Sequence, residues 1–109
     1  MLKGCFGNTR IEPTDVDGLV ERNGHFLVLE AKKPGVKIKQ GQLWTFNALR
    51  NTGLFTILIL WGEKNMPQEM QVLYPKPLEV SPAKPCDIND VRRVVTWWFN
   101  RAEKLKRGA

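Results

Sequence analysis

The apolar positions of the 109-residue chain change period along its length, and each change marks an element. Asp15 to Arg22 and His25 to Lys32 are strand-like runs on either side of Asn23-Gly24. That dipeptide favours a two-residue type I′ hairpin turn, because both residues tolerate positive φ. Pro34-Gly35 ends the second run. From Val36 to Asn51, Leu43, Phe46, Leu49 and Arg50, with Trp44 and Ala48 beside them, recur at three- and four-residue intervals, which predicts an amphipathic helix. Gly53 stands where a helix C-terminal glycine belongs. Leu54 to Trp61 is apolar on both faces between Gly53 and Gly62, the pattern of a central buried strand. Met70 to Tyr74 reads as a short edge strand. Pro75, Pro77, Pro82 and Pro85 make the next stretch an extended connector. Asp87 to Arg107 reads as a last helix with Asp87 or Asn89 as N-cap. Its apolar stripe is Val91, Val94, Val95, Trp98, Ala102 and Leu105, with most basic residues off the stripe.

This order predicts an α/β (α+β) fold, a small mixed sheet flanked by helices. The length allows one domain over 1–109, with a core at about 11–74, a connector at 75–86 and a basic helix at 87–107. No apolar run approaches the ~18 residues of a membrane span, and Met1 to Gly4 lacks a signal-peptide stretch, so the expected location is cytoplasmic.

Charge adds a partner class. Seventeen Lys and Arg against eleven Asp and Glu leave +6, which points to an anionic partner such as nucleic acid. Absent residues exclude other chemistry. The single His25, read as an exposed turn residue, rules out most catalytic zinc sites and His-dependent nuclease motifs. Cys5 and Cys86 lie 81 residues apart with no CxxC; both are expected as buried thiols. Neither GxxxxGK[ST] nor GxGxxG occurs, so no nucleotide cofactor is expected.

A two-residue turn at Asn23-Gly24 also sets a register in which paired positions sum to 47. Asp17 then faces Glu30, with Cβ atoms about 5 Å apart, and Lys32 lies on the same face. Like charges so placed repel by up to about 1 kcal/mol. A hard divalent cation, Mg²⁺ or Mn²⁺, would turn that repulsion into binding. The same residues also fit a solvated edge pair, Glu30 with Lys32.

The stretch Pro13-Thr14-Asp15-Val16-Asp17-Gly18-Leu19-Val20-Glu21, followed by Glu30-Ala31-Lys32-Lys33-Pro34-Gly35 and by Gly41-Gln42, resembles the PD-(D/E)XK nuclease superfamily. The likeness is to small phage and bacterial members, of the virus-type replication-repair or Holliday-junction-resolvase kind. It covers about residues 11–62. The resemblance implies a restriction-endonuclease-like core and hydrolysis of DNA phosphodiester bonds with Mg²⁺ or Mn²⁺. It implies that Asp17, Glu30 and the Ala31 carbonyl hold the metal, with Asp15 the competing ligand. Lys32 would orient or activate water, and Gln42 would point back toward the site. Relatives usually carry a helix before the first strand, often with a further acidic ligand. Here about twelve residues precede Pro13, with Glu12 as candidate substitute and the last helix, or a second subunit, as candidate to fill the place.

The expected DNA contacts are Lys33, Lys37, Lys39, Arg101, Lys104 and Arg107, each of which also fits a solvated surface. Trp98 reads as core, and Trp97 as a dimer or nucleic-acid contact. The expected function is a metal-dependent DNA endonuclease acting on branched or structured DNA, as a homodimer. The alternative is a non-catalytic nucleic-acid-binding module or accessory subunit on the same fold.

Overall fold

Asn23 and Gly24 take φ of 53° and 80°, the two positive values a type I′ turn demands. They join strand β1 (Gly18–Arg22) to strand β2 (His25–Lys32), with Arg22 opposite His25 and Leu19 opposite Val28, as the sum rule requires. These coordinates come from a computed structural model, which describes residues 3–11 and 13–105. Glu12 and Arg107 lie outside the described residues.

Helix α1 (Gln40–Asn51) carries the chain from β2 to strand β3 (Phe55–Glu63), which lies parallel to β2. Such a crossover is the only short way to bring two parallel strands together. Strand β4 (Met66–Leu73) returns antiparallel to β3, and strand β5 (Lys84–Pro85) pairs antiparallel with β4. The result is a five-stranded mixed sheet in the order β1-β2-β3-β4-β5. Helix α2 (Ile88–Lys104) closes the chain.

Strand alternation sends successive side chains to opposite faces, and each face receives one helix. Val28, Ile57, Ile59, Trp61 and Leu73 pack with Phe46 of α1. Leu27, Leu58, Met70 and Val72 pack with Val91, Trp98 and Ala102 of α2. Both faces of β3 are therefore covered, which explains its unbroken apolar run. The mixed α/β architecture and the core role of Trp98, 3% exposed, agree with the sequence. Among the described residues no helix is long and apolar enough to cross a membrane.

Several boundaries differ from the sequence reading. α1 starts at Gln40, because Pro34-Gly35 and the extended Lys39 hold residues 33–39 out of the helix. β4 starts four residues earlier than expected and is not the edge, since β5 covers its end. Of the two N-cap candidates Asp87 takes the place: its carboxylate accepts from the Asp90 N–H, and Asp90 answers the Asp87 N–H, both at 2.9 Å. That backbone hydrogen bond holds the Asp90 carboxyl below its ordinary range. Cys5 is exposed and Cys86 half-buried, so the pair is not two buried thiols; burial pushes the Cys86 thiol up. His25 is half-buried beside Thr56, Trp98 and Arg101, because α2 crosses the hairpin end there.

The proline-rich connector is pinned from within. Arg50, 7% exposed, donates from Nε to the Tyr74 carbonyl at 2.6 Å and from Nη2 to that of Leu78. Charge-assisted bonds of this kind contribute about 1.5–3 kcal/mol, and buried partners left alone add to the loss. Arg50→Ala should lower stability by roughly 2–4 kcal/mol in a urea titration. A change below about 0.5 kcal/mol would mean that the connector holds itself.

Candidate active site

At the entry to β1 the ladder departs from the sum rule. The Asp17 N–H donates to the Leu29 carbonyl at 3.2 Å, although Leu29 is already the partner of Gly18. Two residues of one strand thus meet one of the other, as in a β-bulge. A side chain on Gly18 would stand 3.2 Å from Leu29 Cδ1, so the glycine permits this close approach. The regular ladder ends here, and Asp17 is not paired with Glu30. Its Oδ2 instead accepts from the Ala31 N–H at 2.7 Å, filling the place of the missing ladder bond. The predicted repulsion between Asp17 and Glu30 as directly opposed residues is corrected accordingly. The carboxylate is still one residue from Glu30. It sits at the strand edge toward which the Ala31 carbonyl also points, since both backbone groups of a strand residue face the same neighbour.

Glu30 and Lys32 project from β2 to the α1 face, in line with Val28. Glu30 is 6% exposed, and its Oε1 lies 3.4 Å from the Lys32 ammonium. The pair is therefore not a solvated edge pair. Its second oxygen, Oε2, is buried without a hydrogen-bond partner among the described residues. Gln42, in the first turn of α1, has its Oε1 in the same condition. Both atoms are acceptors, and a buried acceptor without a donor costs about 1–3 kcal/mol. Each is an acceptor suited to a cation or to water.

The surroundings tie these parts together. The Thr14 and Thr45 hydroxyls meet at 3.4 Å, linking the segment before β1 to α1. Trp61 Nε1 donates to the Val36 carbonyl at 2.6 Å, fixing the β2–α1 loop against β3. Neither link was foreseen, although Thr45 stands three residues after Gln42 and so shares its helix face. Lys33, Lys37 and Lys39 are exposed on that loop. Asp15 is exposed in the extended segment before the bulge. Arg101 and Lys104 lie elsewhere, on the α2 side. There α2 meets the hairpin through the Asn23 side-chain N–H to the Ala102 carbonyl and through an ion pair between Arg22 and Glu103. From His25 to Lys32 the strand runs roughly 23 Å, so the loop lysines and the α2 cations form two separate basic surfaces.

Among the described residues no group of three or more His, Cys, Asp or Glu side chains gathers around one point. A magnesium-like ion does not need one. It keeps several waters and takes one or two carboxylates. Asp17, Glu30 and the Ala31 carbonyl fit that demand, with the unpartnered Glu30 oxygen as the observation in its favour. Comparison of the chain with family models, curated proteins and solved structures returned no match.

Proposed function

We propose that the chain is a divalent-cation-dependent phosphodiesterase acting on DNA, of the restriction-endonuclease-like kind that its Asp17, Glu30-Ala31-Lys32 and Gln42 resemble. The observation that carries this reading is the buried Glu30 carboxylate, paired on one oxygen with Lys32 and unpartnered on the other.

Glu30, Asp17 and the Ala31 carbonyl would hold Mg²⁺ or Mn²⁺. Such an ion, when bound, lowers the pKa of water and offsets charge on phosphate. Lys32 adds a cation 3.4 Å from Glu30 and donates to an attacking water or a phosphate oxygen. Gln42 offers Oε1 to accept a hydrogen bond from that water and so orient its lone pair. Lys33, Lys37 and Lys39 steer the phosphate backbone by charge. The exposed apolar side chains of edge strand β1, Leu19 and Val20, support a homodimer joined there.

Nicking of supercoiled plasmid with Mn²⁺ or Mg²⁺, against an EDTA control, tests the proposal. Asp17→Ala should remove nicking while Asp15→Ala lowers it only a few-fold, because Asp17 alone reaches the Ala31 edge. The reverse order would move the ligand by two residues. Metal-independent gel shifts without nicking would favour the alternative, a binding module.

A further inference from the structure

The fold leaves an aromatic surface on α2 unused. α2 and the proline-rich connector enclose an open groove of about 530 Å³, lined by Tyr74, Leu78, Val80 and Trp97, with Arg93 and Glu79 as charged members. Trp97 does not belong to the core stripe and is 37% exposed; Leu78 and Val80 are 41% and 43% exposed. The indole is nonetheless held in place. Its ring meets that of Tyr74 edge to face at 5.2 Å, and the Arg101 guanidinium stands 5.8 Å from its centre.

Glu79 on the connector is the acidic member of the groove's lining, and the α2 side of the groove is cationic. The acidic side chains of α2 are Asp90 and Glu103, and each is engaged, by Arg93 and by Arg22. Arg92 and Lys104 carry no ion pair among the described residues. A second hollow continues past Trp97 along the helix, lined by Arg92, Thr96 and Asn100. Rigid aromatics beside a cationic, hydrogen-bonding strip are what unpaired nucleic acid requires: bases stack on the rings while the backbone follows the charge. A paired duplex hides its base faces and gains only the charge. An apolar peptide would gain only the groove.

We infer that this groove binds an unpaired stretch of nucleic acid, one base against Trp97 and Tyr74 and the phosphates along Arg92 and Arg101. The inference rests on the nucleic-acid part of the proposed function and narrows its substrate to DNA with a single-stranded arm. The groove lies on the α2 face and the candidate site on the α1 face, so one substrate must wrap the sheet to reach both. A branched or flapped DNA does so more readily than a straight duplex.

The test is fluorescence anisotropy in EDTA, with a labelled oligothymidylate of about twelve nucleotides and a duplex of equal length as probes. Trp97→Ala should weaken single-strand binding about tenfold or more and duplex binding less than about twofold. Trp97→Phe should retain most of the affinity. Val80→Glu, at an exposed position, should weaken the single strand by charge without touching the core. Trp44→Ala, 68% exposed on α1, should change nothing. Unchanged single-strand affinity in both Trp97→Ala and Val80→Glu overturns the inference. So does an equal loss on both probes, or a loss accompanied by altered sedimentation, which would assign the groove to a second copy of the chain. The proposed hydrolysis fails separately: a parent protein that never nicks plasmid, yet binds oligothymidylate through Trp97, leaves this inference standing.

Discussion

Glu30→Gln is expected to abolish plasmid nicking and to remove most of the stabilisation that Mn²⁺ gives the parent protein. The cation contributes several kcal/mol to such a transition state, so the rate should fall by about a hundredfold or more. The stability arm needs no substrate. An ion that binds only the folded chain stabilises it by about 2.7 kcal/mol at a hundred times its Kd. The parent should therefore melt higher with Mn²⁺ than with EDTA, and the Gln variant should respond far less. In EDTA the register argument from sequence gives the variant an advantage through relieved repulsion from Asp17. The structure reverses that sign. Asp17 is bonded to the Ala31 N–H, while Glu30 holds Lys32 at 3.4 Å in a setting that is mostly buried. Losing that partner should cost on the order of 1 kcal/mol, between the surface and buried ranges for ion pairs. Equal metal shifts in the two proteins would remove Glu30 as a ligand.

Phe46→Ala should lower stability by about 3–5 kcal/mol, a large share of what a domain of this size has. Phe46 is fully buried between α1 and the sheet. Little else holds the start of that helix: Lys39 offers no side-chain cap, and the first turn has no acidic residue. α1 therefore depends on packing, and Gln42, one turn before Phe46, depends on α1. A urea titration should show the lowered midpoint. Residual nicking, measured where the variant is still folded, should fall as Gln42 loses its fixed place. Trp44→Ala on the same helix, exposed to solvent, should stay within about 0.5 kcal/mol. Similar losses from both variants would mean that α1 packs by another face.

Local rules account for what could be read without coordinates. The hairpin turn follows from two residues tolerant of positive φ, and the register beside it from strand alternation, since neither needs a distant partner. The buried β3 and both helices follow from apolar spacing. The Glu30-Ala31-Lys32 run at a strand end and the Gln42 that follows could be named because chain order alone makes them neighbours. Long-range packing decided the rest. Whether Asp17 would face Glu30 depended on where the regular ladder ends, with the Asp17 N–H on the Leu29 carbonyl and its carboxylate on the Ala31 N–H; a one-residue slip turns a side chain elsewhere. Arg50 looked like one more member of a helical stripe, yet it pins a connector more than twenty residues away. Arg101 and Lys104 could be counted as basic, but only the placement of α2 put Arg101 beside His25 and Trp97, a strand's length from Lys32. Charge and periodicity are properties of a segment and survive in the sequence. The burial of Glu30 with one bare oxygen, and the union of Trp97 with Tyr74, exist only where separate segments meet, because burial and contact are properties of the packed chain.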